Sequence, residues 1–386
     1  MDIQELSGGT FTDAVLEDGE ETVRRCPVKV LTTTSEPAKG LVDAAMKALR
    51  AGDKAPQQVR LILHGTTLAT NAVLERKGAR AALIVTKGFR DLLELGSGGR
   101  YDPYKLKALK SMPLIPRSRC FEVSQRQLAD GSISTPLDEE ELVSLVPKLK
   151  AEAVESIAVC FLNSYANDVH EERAVAILRP HLPGVWFCTS SGVSPEMREF
   201  ERFSTAACNA YVQPLMSCYL REAQEALLAH GFTCPLLLMT SGGGLVDAFT
   251  AATQPVRLIE SGPAGGAILA EQVARELRAP VLSLDMGGTT AKLCGISSSG
   301  RAEVTRCFEV DRKELFRRGS GLLLQIPCID LLEISGGGGS IASIDAVGNL
   351  RLGPESAGSK PGPACYGRGG TMPTAPGSRF SLLSTS

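Results

Sequence analysis

Phosphate chemistry asks for backbone N–H groups that can approach an anion, hydroxyls that donate to its oxygens, and an acid for the accompanying cation. One stretch supplies all three: Leu284-Asp285-Met286-Gly287-Gly288-Thr289-Thr290-Ala291-Lys292. Gly287 and Gly288 lack the Cβ that would hold a ligand off. Thr289 and Thr290 bring hydroxyls, and Lys292 follows them. Asp285, at the end of the apolar run 281–284, can hold a metal ion or its water and is the candidate catalytic residue. A second copy, Gly8-Gly9-Thr10-Phe11-Thr12-Asp13, lies at the other end of the chain. Here Gly8, Gly9, Thr10 and Thr12 are candidate nucleotide contacts, and Asp13 is a second candidate metal ligand. A single Gly-Gly-Thr hairpin is ordinary turn chemistry. Two copies, one with a strand-terminal acid and a following Lys, point to two related lobes facing one nucleotide. Neither copy has the spacing of a P-loop or of the dinucleotide fingerprint.

Other polar groups gather at expected strand ends. The run 59–63 leads into His64-Gly65-Thr66-Thr67, with Asn71 four residues on. His64, Thr66, Thr67 and Asn71 are candidate substrate contacts, although a histidine satisfied by backbone groups at a strand end reads equally well. Ser335-Gly336-Gly337-Gly338-Gly339-Ser340 puts four glycines after another strand, and Gly337, Gly338 and Gly339 suit close approach to a flat or anionic ligand. Gly265 and Gly266 open a small-residue helix over 264–277, where they receive phosphate or simply allow close packing. Glu196, Arg198, Glu199, Glu201 and Arg202 read as a solvated helix face.

The elements that must carry these residues alternate. Buried strands are expected over 81–86, 156–162, 235–239 and 256–259, and helices over 40–51, 136–149 and 196–230, with a break at Pro214. The pattern is α/β with a mostly buried sheet, whose strand ends are where ligands sit. Residues 311–327 read as a loop. Pro and Gly cluster over 180–195, and the tail 374–386 has no periodicity and reads as disordered.

At 386 residues the chain is long enough for two or three domains. Its 41 basic and 43 acidic residues nearly cancel, so no basic stripe recruits nucleic acid or anionic membrane. Aromatic residues are 5%, too few for base-stacking platforms. No apolar run reaches 18 residues, so no membrane span is expected. The 11 cysteines include no Cys-x-x-Cys and sit mostly in apolar runs, which fits reduced thiols in the cytoplasm.

With these motifs in hand the chain resembles the hydantoinase A / 5-oxoprolinase family. The likeness rests on the two Gly-Gly-Thr stretches, and on His64 to Asn71 with Glu75-Arg76-Lys77-Gly78. It also rests on Thr86-Lys87-Gly88-Phe89-Arg90-Asp91, Ser194-Pro195-Glu196, Glu260-Ser261-Gly262-Pro263-Ala264-Gly265-Gly266, 337–342 and 362–371. The resemblance implies a two-lobed actin/sugar-kinase/Hsp70-like architecture of ribonuclease H-like lobes with ATP and Mg²⁺ in the cleft. It implies an N-terminal domain over 7–182 and a hydantoinase A domain over 195–373. The implied activity is ATP-dependent hydrolysis of a cyclic amide, 5-oxoproline or a hydantoin, with a hydantoinase B-type subunit or module completing the reaction and a place in glutathione metabolism. Leu6 stands where the family has an Asp, Gly192 where an acid is usual, and Gly242 where an Asn is usual. The family's A module runs on past residue 386, so a shortened relative is expected. Two further readings stay open: an impaired homologue acting as a binding or regulatory subunit, and an ATP-dependent carboxylase subunit.

Overall fold

A computed structural model describes residues 1–8, 11–18, 24–31, 36–287, 291–314, 317–334, 336–345, 347–358, 362–367 and 369–375. The chain divides into two compact units. The first comprises Met1–Gly262 with Thr305–Cys328, the second Pro263–Val304 with Ile329–Ser386. The Pro- and Gly-rich stretch 180–195 lies within the first unit.

The first unit begins with an antiparallel meander, β1 (Asp2–Ser7), β2 (Phe11–Asp18) and β3 (Arg24–Leu31). In β1 the pleat turns Ile3, Glu5 and Ser7 inward and Gln4 and Leu6 outward. Helix α1 (Pro37–Gly52) buries Leu41, Val42, Ala44, Ala45, Ala48 and Leu49, the stripe that helical periodicity demands. The chain then returns as β4 (Leu61–Thr66), parallel to β1, and enters the short helix α2 (Leu68–Leu74).

From there it leaves for a second, wholly parallel sheet. Strands β5 (Ala81–Thr86), β6 (Cys120–Val123), β7 (Ser156–Cys160) and β8 (Trp186–Thr189) lie in the order β8-β7-β5-β6. Every residue of β5 and β7 is buried, as parallel strands covered on both faces require. The long helix α3 (Glu199–Ala229) leads back to β9 (Leu236–Met239), parallel to β4, and β10 (Leu245–Asp247) closes that edge. The first sheet therefore runs β10-β9-β4-β1-β2-β3. Three antiparallel strands followed by parallel strands beyond the first is the ribonuclease H-like order.

In the second unit, helix α4 (Ser261–Leu277) packs Ala264, Ala267, Ala270 and Ala274 against Cys294, Ile296 and Ile329. Strands β11 (Val281–Met286), β12 (Ala291–Ile296) and β13 (Leu332–Ile334) form an antiparallel sheet. A separate hairpin joins β14 (Ser340–Ile344) to β15 (Leu350–Ser356).

Several expectations change. The helix runs through Pro214 without a break, because α3 is buried along much of its length and that packing offsets one lost hydrogen bond. Residues 255–258 form a 3₁₀ turn against α3 instead of a strand, and α4 starts earlier than expected, at Ser261. Within 311–327, Leu322–Leu324 pairs antiparallel with Phe308–Val310. Strand β11 forms, but Leu282, Leu284 and Met286 are exposed, so the run 281–284 is not a buried strand. The tail 376–386 lies outside the described residues. All 11 cysteines are free thiols, and burial pushes those of Cys188 and Cys208 up to about 12.

Candidate functional site

The first Gly-Gly-Thr copy links β1 to β2, and the second links β11 to β12. Their registers coincide. The last pair before the turn is Ser7 with Thr12 in one hairpin and Met286 with Ala291 in the other, five residues apart in each case. Position by position, Gly8 answers to Gly287, Leu6 to Asp285 and Asp13 to Lys292. Gly9, Thr10, Gly288, Thr289 and Thr290 lie outside the described residues.

In the first unit the structure gathers four of the expected residues. Gly8, Thr66, Thr67 and Asn71 line one cavity of about 320 Å³, together with Ser7, Pro37, Leu68, Ala72, Glu75, Lys77 and Leu215. Parallel pairing of β1 with β4 sets Ser7 opposite Thr66, and the main chain of Ser7 accepts a hydrogen bond from Thr67 N at 3.1 Å. Asn71 Nδ2 donates to Thr67 Oγ1 at 3.3 Å, one turn along α2. Thr66 Oγ1 accepts from Leu68 N at 3.2 Å, which leaves its own proton to donate. The cavity thus offers hydroxyls and an amide beside a glycine turn, the chemistry that holds a small polar ligand next to a phosphate.

His64 sits behind this wall. It is 1% exposed; Nε2 is hydrogen-bonded with the Tyr219 hydroxyl at 2.6 Å, and Nδ1 lies 2.5 Å from Glu5 Oε2 without hydrogen-bond geometry. It does not line the cavity. Of the two readings, the buried structural histidine is the one realised, with side chains instead of backbone groups beside it. Thr12 is buried, and its hydroxyl lies 3.3 Å from Ser7 Oγ. Asp13 is on the other face of the sheet, paired with Lys29 Nζ at 2.6 Å, so its carboxylate is already committed to a cation. Leu6 shares that face and packs on Gly65, where an added Cβ would come within 2.9 Å of Leu6 Cδ1.

In the second unit Asp285 ends β11 opposite Lys292 of β12. The Asp285 side chain is exposed and makes no hydrogen bond or ion pair among the described residues. The glycine turn 337–339 comes to the same hairpin, because Gly338 N donates to Gly287 O at 2.9 Å. Ser340 Oγ fixes the turn by accepting from Gly337 N at 2.9 Å. Two of the three motifs read as nucleotide contacts are therefore neighbours. No cluster of three or more His, Cys, Asp or Glu suited to a metal occurs among the described residues. A lone strand-end carboxylate such as Asp285 is a donor Mg²⁺ accepts when phosphate oxygens and waters complete its octahedron.

Sequence reasoning missed Glu5 and Tyr219. A glutamate on the inward face of a six-residue strand was the available signal, since burial of such a group demands partners.

The sheet order and the paired glycine hairpins define an α/β fold of the actin-like ATPase type. The sequence matches the hydantoinase/oxoprolinase N-terminal region over residues 7–182 and the hydantoinase/oxoprolinase region over 202–376. The chain belongs to the hydantoinase/oxoprolinase family.

It is 41% identical to an uncharacterized protein of Methanocaldococcus jannaschii, covering 95% of this chain and 54% of that one. It is 33% identical to caprolactamase subunit alpha of Pseudomonas jessenii, over 97% and 53%. It is 32% identical to the acetophenone carboxylase gamma subunit of Aromatoleum aromaticum, over 95% and 51%. The solved structure of the Pseudomonas jessenii ATP-dependent caprolactamase superposes with a TM-score of 0.77 at 30% identity, over 97% of this chain and 53% of that one. A nucleotide-free acetone carboxylase superposes with a TM-score of 0.81 at 24% identity, over the same shares, and shows the fold alone. The chain spans about half the length of these relatives.

Proposed function

We propose that this chain is the ATP-using part of an enzyme that opens cyclic amides. The observation that carries the reading is the cavity of Gly8, Thr66, Thr67 and Asn71 at one glycine hairpin, together with a second hairpin of the same register that bears Asp285. Caprolactamase subunit alpha, a relative named for a lactam, supports the substrate class.

A cyclic amide is a poor electrophile, and phosphorylation cures this. The ring oxygen attacks the γ-phosphorus of ATP, the bond to ADP breaks, and the ring N–H gives up its proton to leave an O-phosphorylated imidate. Water adds to the imidate carbon, and the C–N bond breaks as nitrogen takes a proton. The acyl phosphate so formed is hydrolysed to the ring-opened amino acid and phosphate. The protein's share is to position reactants and balance charge.

In the first unit Gly8, Gly9 and Thr10 are proposed as phosphate contacts, and in the second unit Gly287, Gly288, Thr289 and Thr290. Asp285 would hold Mg²⁺, which supplies charge neutralisation at the phosphates. Thr66 donates to the amide oxygen, and Asn71 and Thr67 line the ring. Lys292, Thr12 and the glycines 337–339 support the turns. Relatives named as alpha or gamma subunits support a partner subunit, proposed here to be of the hydantoinase B type and to complete the hydrolysis. The 11 free thiols favour a cytoplasmic setting.

Calorimetry with ATP–Mg²⁺ tests the reading. The wild type binds, and Asp285→Ala weakens binding by about tenfold or more, roughly 1.4 kcal/mol. Absence of binding at millimolar ATP overturns the reading and leaves a binding or regulatory subunit. The acetophenone carboxylase relative favours a second reading, ATP-dependent carboxylation of a ketone. Product analysis separates the two: a carboxylated ketone formed from bicarbonate, or a ring-opened amino acid.

A further inference from the structure

The cavity wall is backed by a chain of four touching side chains, hydrogen-bonded at its two ends, Ser7 to Glu5 and Tyr219 to His64. Glu5, His64, Tyr219 and Ser7 are all nine-tenths or more buried. They come from β1, β4 and α3. Register places Glu5 beside His64, and α3 brings Tyr219 down on the ring.

Start at the far end. Burial, and after it the nearby charge of Glu5, holds the Tyr219 hydroxyl well above its ordinary range. The phenol therefore keeps its proton and donates to His64 Nε2. An accepting Nε2 puts the ring proton on Nδ1. Nδ1 lies 2.5 Å from Glu5 Oε2, a close N–H to carboxylate contact without hydrogen-bond geometry, and neither atom has a hydrogen-bond partner. The other carboxylate oxygen, Glu5 Oε1, accepts the Ser7 hydroxyl at 2.8 Å. Ser7 has a single proton, and Glu5 takes it. With its proton on Glu5, Ser7 Oγ can only accept in its 3.3 Å contact with Thr12 Oγ1. What remains on Ser7 Oγ is a lone pair, on a residue that lines the cavity.

We infer that Ser7, set by the buried Glu5–His64–Tyr219 chain, is the acceptor that selects a ligand carrying an N–H next to its carbonyl. Ser7 touches the ligand; Glu5, His64 and Tyr219 are positioning residues. Thr66, with its proton free, faces the carbonyl end, so donor and acceptor match the two edges of a secondary cyclic amide. This deepens the proposed function and rests on it. A ketone, the substrate of the alternative reading, has no N–H to offer.

The experiment compares 2-pyrrolidinone with γ-butyrolactone, the same ring with oxygen in place of N–H, by calorimetry on the full chain with ATP–Mg²⁺. A lone pair facing a lone pair is repelled, so the wild type prefers the lactam by about tenfold or more. Ser7→Ala brings the two within about twofold while ATP–Mg²⁺ binding persists. Glu5→Gln places a donor beside Ser7 and also narrows the gap, with ATP–Mg²⁺ binding again kept. A merely structural role for Glu5 would lower both ligands alike and leave their ratio untouched.

Lactam binding with no preference over the lactone overturns this inference and leaves the cyclic-amide reading standing. A preference that survives Ser7→Ala overturns it too, and transfers the acceptor role to Asn71 Oδ1. ATP binding with neither ring bound overturns both. The wild-type comparison needs no variant, so a poorly folding Glu5→Gln does not blunt the test.

Discussion

Single residues show where composition misleads. Arg202, read as part of a solvated helix face, is wholly buried, and its guanidinium donates to Phe161 O, Glu196 O and Ser190 Oγ. Ser190 in turn donates to Glu171, an equally buried glutamate that also accepts from Phe161 N and from the backbone and hydroxyl of Ser191. Burial pushes the Glu171 carboxyl up from its ordinary 4.5, against the pull of those hydrogen bonds. The folded state then holds this proton more tightly than the unfolded chain does, so its contribution to stability is full below the ordinary value and is lost as pH rises through the raised one. Thermal unfolding across pH 4 to 8 checks this: Glu171→Gln removes that fall from the wild-type profile. A dense run of charges at a helix start gave no hint that one of them turns inward, because burial is decided by which neighbours arrive, here Phe161 and Ser190. The glycine hairpins were legible for the opposite reason, since their chemistry is local.

At the scale of elements, periodicity told most where packing is most regular. The buried runs of β5 and β7 and the stripe of α1 stood as read. It told least where a short apolar run reads as a strand, as at 256–259, since residues 255–258 coil into a 3₁₀ turn with Pro255, Val256 and Leu258 buried. A four-residue run carries no period to tell the two apart. Pro214 is the clearest case of tertiary packing overriding a local rule. Because α3 keeps going, the ring still forfeits one backbone hydrogen bond. Pro214→Ala is expected to stabilise the chain by about 2–2.5 kcal/mol, the helix gain of roughly 3 less the roughly 0.4–1 of entropy that proline removes from the unfolded chain. A urea titration with unchanged slope and a higher midpoint is the expected result.

For the whole molecule, two related halves were legible from a repeated tripeptide, and the matched registers of β1–β2 and β11–β12 give that repeat a structural meaning. The same alignment shows that the acid stands in only one of the two hairpins, Asp285 answering to Leu6. The buried Glu5–His64–Tyr219 chain was not legible, since its members are 59 and 155 residues apart in sequence and meet only once the sheet and α3 exist.

The antiparallel sheet of the second unit turns Leu282, Leu284 and Met286 to solvent at 69%, 62% and 51% exposure, on a strand whose outer edge has no neighbour among the described residues. Such a greasy margin is a colloidal liability for the 386-residue chain handled by itself. Light scattering is expected to rise with protein concentration and an environment-sensitive dye to brighten on the purified chain. Leu284→Glu quenches both without moving the unfolding midpoint, so keeping the protein in solution becomes a matter of one exposed stripe instead of the strength of its cores.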